Sequence, residues 1–333
     1  MDTRSLYLFY ALSEDLNMTK TASRLFIAQQ TLSNNIIRLE KEFHTQLFIR
    51  KPKLALTEAG KHMVVLARNI LKECREFEDV VADIDNEEYG VVRFGATAMR
   101  FTSCLGYVLP KFSARYPKVS IDVIDNPSPV LQKKVLSGDI DLALCVQNDN
   151  TPALTTELVL ADRIYLCVAE RLLQRFYGMD SNSIKYAASK GASVANFSKL
   201  PFFILATPNR LGNLVKKCFE DAGFMPKVYL TTTSSRVAPM VCSEALAACF
   251  ITQMNLIINK ERISYDTNIF PLLYGNKQLK HNVYLVHATK RYLPKYMRYF
   301  MQLVKDFYKG FDTNALTYIY EDNKCKTRKK KLV

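Results

Sequence analysis

The chain has 333 residues with 46 Lys and Arg against 32 Asp and Glu, a formal net charge of +14. At roughly 100–200 residues per domain this is two or three domains, and 48% hydrophobic with 23% charged residues excludes a mostly disordered protein. No apolar run approaches the roughly 18 residues that span a bilayer, so no membrane partner is expected. The opening Met1-Asp2-Thr3-Arg4-Ser5 lacks a basic segment leading into an apolar one, so no secretory leader is expected and a cytoplasmic location is. Eight cysteines, none in a CxxC pair, and four histidines without metal spacing point to reduced thiols and no metal site.

The charge is unevenly placed. Residues 1–61 hold nine basic and six acidic side chains, 62–90 hold three and eight, 91–323 hold 28 and 18, and the last ten hold six and none. A basic balance favours nucleic acid or anionic partners, though a Lys-rich surface also serves solubility.

In chain order, residues 4–17 place Leu6, Phe9, Leu12 and Leu16 at helical steps. Asn17 is the expected N-cap of a short helix facing Ala22 and Leu25 inward. After a turn through Phe26-Ile27-Ala28, a third helix runs from about Gln29 to Phe43. Leu32, Ile36, Leu39 and Phe43 share one face. The other shows Gln30, Thr31, Ser33, Asn34, Asn35 and Arg38, with no acid before Glu40. Amides and hydroxyls read base edges in a major groove, and Arg reads guanine or phosphate. A solvated polar face has the same composition. Two short helices around a tight turn, the second amide-rich, decide for a helix-turn-helix. The segment Leu47 to Thr57 reads as a hairpin wing with Arg50, Lys51 and Lys53 at its tip, placed for phosphates.

A long helix follows from about 58 to 86. Val64, Ala67, Leu71, Cys74, Phe77, Val80, Val81 and Ile84 form an apolar stripe, read as a dimer seam. Residues 86–90 read as a hinge. From 91 the period changes to strand, helix, strand, helix, strand: 91–96, the helix with Leu105, Val108, Leu109 and Phe112, 119–124, 130–136 and 140–146. That order implies a parallel sheet. A second set comprises strands at 164–168, 202–205 and 227–231, helices at 212–222 and 235–242, and an apolar run at 245–251. A late strand at 281–286 and a helix from Pro294 to about Phe311 close the globule. The span 312–333 reads as a basic disordered tail.

These residues carry a resemblance to the LysR-type transcriptional regulators. It rests on Leu6, Phe9, Leu12, Thr21-Ala22, Leu25, Gln29, Leu32-Ser33, Ile36, Leu39-Glu40, Leu47-Phe48, Arg50 and Leu56 to Gly60 in the first part. In the second it rests on Val92 to Gly95, Leu109-Pro110, Phe112, Tyr116-Pro117 and Gly138 to Ala143. It covers about 1–305. The resemblance implies a mixed fold: an all-α winged helix-turn-helix (1–60), a linker helix (61–88) and a two-lobed α/β, periplasmic-binding-protein-like effector domain (89–311), followed by the tail. Lobe one is expected at 91–160 with 268–305, and lobe two at 161–267. It further implies a homodimer through the linker helix, a homotetramer, double-stranded promoter DNA as partner, a small-molecule effector between the lobes, and RNA polymerase as partner if the protein activates.

The expected DNA contacts are Gln29, Gln30, Thr31, Ser33, Asn34, Arg38, Arg50 and Lys53. The expected effector contacts are Thr97, Ala98, Ser128, Val146, Gln147, Thr207, Ser234 and Arg236, at strand ends and helix starts whose free amides attract anions. Ser and Thr there also serve as plain helix caps. The basic balance of 91–323 favours an anionic effector such as a carboxylate.

Departures from the family pattern are Gln30 where Pro is usual, Ala28 for a capping Ser, and His44 for Gly. In the second lobe Ala245-Leu246-Ala247 stands for Gly-Leu-Gly, and Thr252 for Pro. They keep open a DNA-binding protein whose effector domain has lost its ligand and only oligomerises. Thiol sensing by Cys242 and Cys249 is a further alternative. No catalytic triad, nucleophile elbow, Walker or GxGxxG loop is present, so neither an enzyme nor a cofactor is expected. Few glycines, no Trp and abundant Lys, Asn, Ile and Tyr point to an AT-rich bacterial genome.

Overall fold

The computed structural model describes residues 2–84, 89–146, 151–206 and 209–311. Of the predicted hinge at 86–90, residues 86–88 lie outside the described residues, as do the span 312–333, Gln147 and Thr207, whereas Tyr89 and Gly90 belong to a strand and not to a hinge.

Three helices pack first: α1 (Thr3–Asp15), α2 (Met18–Arg24) and α3 (Gln29–Glu42). Asp2 caps α1 by accepting the Ser5 amide at 2.6 Å, and Asn17 caps α2 by accepting the Lys20 amide at 2.9 Å. Capping of this kind satisfies donors that the helix itself leaves unpaired. Leu6, Phe9, Leu12, Leu32, Ile36 and Leu39 form the core with Leu47 and Phe48. β1 (Phe48–Ile49) and β2 (Ala55–Leu56) pair antiparallel as the wing. α4 (Glu58–Ile84) is the linker helix.

The second part begins with β3 (Tyr89–Ala96), α5 (Ala98–Arg115), β4 (Lys118–Asp125), α6 (Ser128–Ser137) and β5 (Leu142–Val146). β3 runs parallel to β4 and β5, as the alternating order predicts. β6 (Leu154–Ala169) is 16 residues long, far longer than the predicted 164–168. It leads to α7 (Glu170–Tyr177), α8 (Ser181–Ala188), β7 (Pro201–Leu205), α9 (Arg210–Asp221), β8 (Lys227–Thr232), α10 (Ala238–Ser243), β9 (Cys249–Thr252) and α11 (Gln253–Ile258). β10 (Thr267–Pro271), the short pair β11 (Leu273–Tyr274) and β12 (Lys277–Gln278), β13 (Lys280–Ala288) and α12 (Lys295–Lys309) complete the described chain.

The length of β6 makes two lobes out of one sheet. Its first half pairs with β13 and its second with β10 and β9, giving the order β10-β6-β13-β5-β3-β4. In the second lobe β7 pairs with β8 and is bridged through Phe202 to Ala248, just before β9. Lobe one packs Val92, Phe94, Phe112 and Phe300 on one face of its sheet, and Leu131, Ile140 and Val286 on the other. Lobe two is built on Phe197, Phe202, Phe203 and Phe250. The predicted return to lobe one at 268 needs correction. Ile269, Phe270 and Leu272 sit in the second lobe's core, because β10 pairs with the far half of β6.

Two of the departures have a backbone reason. His44 and Ala245 carry φ of 50° and 54°, a left-handed conformation that glycine adopts without strain. Restoring glycine by His44→Gly or Ala245→Gly is expected to stabilise the protein by about 0.5–1 kcal/mol each, net of the unfolded chain's added entropy. Urea unfolding with an unchanged or lowered midpoint in both variants would refute this.

Candidate DNA face and inter-lobe cleft

α3 presents the polar face that its sequence predicts. Leu32, Ile36 and Leu39 are buried, while Gln29, Gln30, Thr31, Asn34 and Arg38 are exposed and Ser33 is half-buried. Ala28 at its N-cap makes no side-chain capping bond, so the first-turn amides meet no capping group. Gln30 donates to Asn34 at 3.1 Å, and Thr19 donates to Gln29 at 3.1 Å, orienting three of the amides. The two arginines are engaged inside the domain. Arg38 pairs with Asp2 at 2.9 Å and also bonds Ser5 and Asn35. Arg50 pairs at 2.7 Å with Glu40, whose other oxygen accepts the Leu47 and Phe48 amides. Arg50 therefore fastens the wing to α3. Lys51 and Lys53 are exposed at the wing tip.

α4 has two characters. Of the predicted seam stripe, Phe77 and Ile84 are exposed, but Val64, Ala67 and Leu71 pack in the core of the first three helices; Val65 and Leu66 are exposed instead. Its acidic side docks on lobe one. Arg291 lies 2.8 Å from Asp141 and 3.1 Å from Asp79, with its side chain 2% exposed and that of Asp141 0%. Tyr296 donates to Asp79 at 2.7 Å, Tyr292 to Asp83 at 2.8 Å, and Arg75 to the Gly138 carbonyl at 2.8 Å. Higher up, Tyr10 of α1 donates to Asp139 at 2.8 Å. The sequence showed the acids of α4 but not their partners, which lie about two hundred residues away.

Between the lobes lies a cavity of about 400 Å³. Thr97, Ala98, Ser128, Val146, Ser234 and Arg236 all line it. Several are also held by the protein itself. The Ala98 amide donates to Asp125 at 3.0 Å, Ser128 accepts the Val146 amide at 2.9 Å, and Ser234 caps the turn at the Arg236 amide at 3.4 Å. The Arg210 guanidinium bonds the Val146 carbonyl across the cleft.

Sequence reasoning missed Arg100, Arg210, Asn255 and His281, which also line the cavity. Arg100 was recoverable: it stands one helical turn after Thr97, and donates to its hydroxyl at 2.9 Å. His281 gave no signal, because only the pairing of β13 with β6 brings it to the cleft. Among the described lining residues there are three arginines and a histidine and no acid. A second hollow of about 820 Å³ shares Val146, Arg210 and His281 and adds Lys216, Lys217 and Lys280, with Glu220 as its one acid among the described residues. Of the departures in the second lobe only Thr252 reaches the cleft; Ala245 and Ala247 are not in its wall.

Burial raises the thiols of Cys167 and Cys249, and those of Cys104 and Cys218 to about 12 and about 11. Such groups stay protonated and are poor nucleophiles. Thiol sensing by the pair Cys242 and Cys249, both buried, draws no support from this environment. No group of His, Cys, Asp and Glu among the described residues could hold a metal ion, and none of their helices is long and apolar enough to cross a membrane.

Residues 3–61 match the model of the bacterial regulatory helix-turn-helix protein, lysR family, and residues 85–309 match that of the LysR substrate binding domain. The HTH-type transcriptional regulator CysB of Haemophilus influenzae is 22% identical over 97% of this chain and 98% of its own. The transcriptional activator IlvY of the same organism is 30% identical, over 52% of this chain and 62% of its own. Among solved structures, a full-length OxyR variant from Pseudomonas aeruginosa superposes with a TM-score of 0.65 at 14% identity, covering 93% of this chain and 95% of its own. CbnR complexed with its target DNA gives 0.57 at 17% identity, covering 92% of this chain and all of its own. At these identities the two structures share the fold.

Proposed function

The chain belongs to the LysR family of transcriptional regulators, and from that premise we propose that it binds promoter DNA through α3 and the wing under control of a small anionic effector held between the lobes. The observation that carries the effector reading is the inter-lobe cavity with Arg100, Arg210, Arg236 and His281 in its wall and no acid among the described lining residues. A cleft of one charge sign concentrates ligands of the other. Gln30, Thr31, Ser33 and Asn34 face the groove as readers of base edges, with Gln29 at the helix start beside them. Lys51 and Lys53 neutralise phosphate, and Arg38 and Arg50 act mainly by holding α1 and the wing against α3. The exposed apolar face of α4 forms the seam of a homodimer, from which a homotetramer is built. If the protein activates, RNA polymerase is a further partner. The lost-ligand alternative is the weaker reading, because Ala245 and Ala247 stand away from the cavity.

The test is a mobility shift on the DNA upstream of the protein's own gene, at two salt concentrations. Gln30→Ala is expected to lose ~1–3 kcal/mol of discrimination against competitor DNA. Lys53→Ala is expected to weaken binding to all sequences alike and to lower the salt slope by about 1. Binding that is indifferent to sequence and unchanged in both variants would remove α3 as the reading helix.

A further inference from the structure

His281 and Arg100 form a buried basic floor to the cleft. Arg100 is 5% exposed and His281 9%. Neither ring nitrogen of His281, nor Nε of Arg100, has a hydrogen-bond partner among the described residues. Buried polar groups are almost always paired, so two such side chains facing one cavity call for a ligand that accepts hydrogen bonds. The same two groups are basic, which makes that ligand an anion.

The charged surroundings of His281 are mostly cationic: Arg236 shares its cavity wall, and Lys216, Lys217 and Glu220 of α9 share the second hollow with it. Burial above all, and then Arg100 on α5 and Arg210 on α9, which face His281, hold its imidazole down to about 3. Asp162 on β6 stands opposite His281 in the strand pairing. Its carboxylate is turned to the Met254 amide at 2.9 Å and to the Thr252 hydroxyl, and burial pushes it up to about 6. Tyr308 on α12, near Arg100, is buried and raised well above its ordinary value. Lys280, beside His281 on β13, is exposed, and the described part of β5 brings only Val146 to the cavity wall.

We propose that the cleft takes up its effector together with a proton: a compact oxyanion, carboxylate or sulfate in type, seats against Arg100 and His281, and His281 becomes imidazolium as the anion enters. The proton comes from solvent and goes to the imidazole. A neutral ring offers one N–H donor; the cation offers two and adds its charge. An anion beside the ring supplies the opposite charge that makes the cation favourable there. Arg100 and His281 then select for charge, and pH becomes a second input to the regulator. The inference rests on the effector reading of the cleft, and the experiment separates the two.

The experiment is calorimetric titration of the full-length protein with sodium sulfate and with sodium succinate, in buffers of different ionisation enthalpy. At least one anion is expected to bind about tenfold more tightly at about pH 6 than at about pH 8, with about one proton taken up. Binding to Arg100→Gln should fall about tenfold or more at both pH values. His281→Gln should bind without pH dependence, while Asp162→Asn keeps it. Imidazole NMR of the wild type needs no variant to fold: His281 should stay neutral alone at about pH 6 and become charged with the anion. Tight binding without proton uptake, or with uptake that survives His281→Gln, overturns the inference and leaves the effector reading standing. If neither anion binds at either pH, the anionic-effector reading falls and the inference falls with it. A preference for succinate over sulfate assigns the seat to carboxylates, and the reverse to tetrahedral oxyanions.

Discussion

Replacing Arg291 by alanine is expected to cost about 3–5 kcal/mol of folding stability, because it strands a buried carboxylate. Asp141 is fully buried; its Oδ2 accepts the Arg93 amide at 2.8 Å, and its Oδ1 lies 2.8 Å from Arg291. The contact with Arg291 lies off the hydrogen-bond line, so Asp141 is held there by charge more than by a bond. Arg93, a second cation, stands 3.8 Å away. Burial is the main influence raising the pKa of Asp141, and Arg291 is the largest of those that lower it. Without that guanidinium the carboxyl must either stay charged in an apolar site or take up a proton.

The loss also reaches the linker helix, since Arg291 holds Asp79 of α4 at 3.1 Å. Urea unfolding should show the destabilisation, and hydrogen exchange should show the second half of α4 opening more easily than in the wild type. The double variant Arg291→Met with Asp141→Asn should recover part of the loss, as removing both members of a buried pair often does. A loss below about 1 kcal/mol in Arg291→Ala, the level of a surface pair, would show that this junction does not tie the linker to lobe one.

The second large effect is a dependence on pH. In the free protein His281 is held neutral, with its folded value near 3 against 6.5 in the open chain. Such a group contributes stability above the unfolded value and loses it as pH falls toward the folded one. His281→Gln lacks that penalty. Relative to wild type, the variant should gain ~2 kcal/mol between about pH 7 and pH 5. The comparison must be between the two proteins, because Asp162 acts in the opposite sense. Raised to about 6, it takes up a proton on folding and stabilises the native state as pH falls through 6 toward 4. In the wild type the two nearly cancel over that range, and a flat profile there would mean little. Denaturant unfolding of both proteins across the range is the measurement. A difference that does not change with pH would show that His281 is charged or solvated in the free protein.

Much of the DNA-binding domain was legible in the amino-acid order, for a simple reason. Its helices are amphipathic, so Leu32, Ile36 and Leu39 announce one face and Gln30, Ser33 and Asn34 the other. Its expected cap is local, since Asn17 acts within three residues; Asp2 caps α1 in the same local way but was not anticipated. The roles of Arg38 and Arg50 were less legible. Both look like free cations in sequence, and only the packing of α1 and the wing against α3 gives them Asp2 and Glu40.

The second part divides in the same way. Alternating strands and helices declared the parallel sheet, and Thr97, Ser128 and Ser234 at element ends pointed to the cleft. The length of β6 was hidden, because Leu154 to Arg163 mixes polar and apolar residues without a clear period. The resemblance implied two lobes, but hidden with that length were the pairing of this one strand in both of them and the place of 268–272 in the second lobe. Local periodicity thus determined the kinds of element and the polar face of α3, while the family was legible in a resemblance carried by spaced residues such as Leu32-Ser33 and Gly138 to Ala143. Tertiary structure alone decided which distant charges meet, Arg291 with Asp79 and Asp141, and Arg100 with His281. Such pairs carry no signal at short range, since burial and proximity are set by strand pairing across a hundred residues or more.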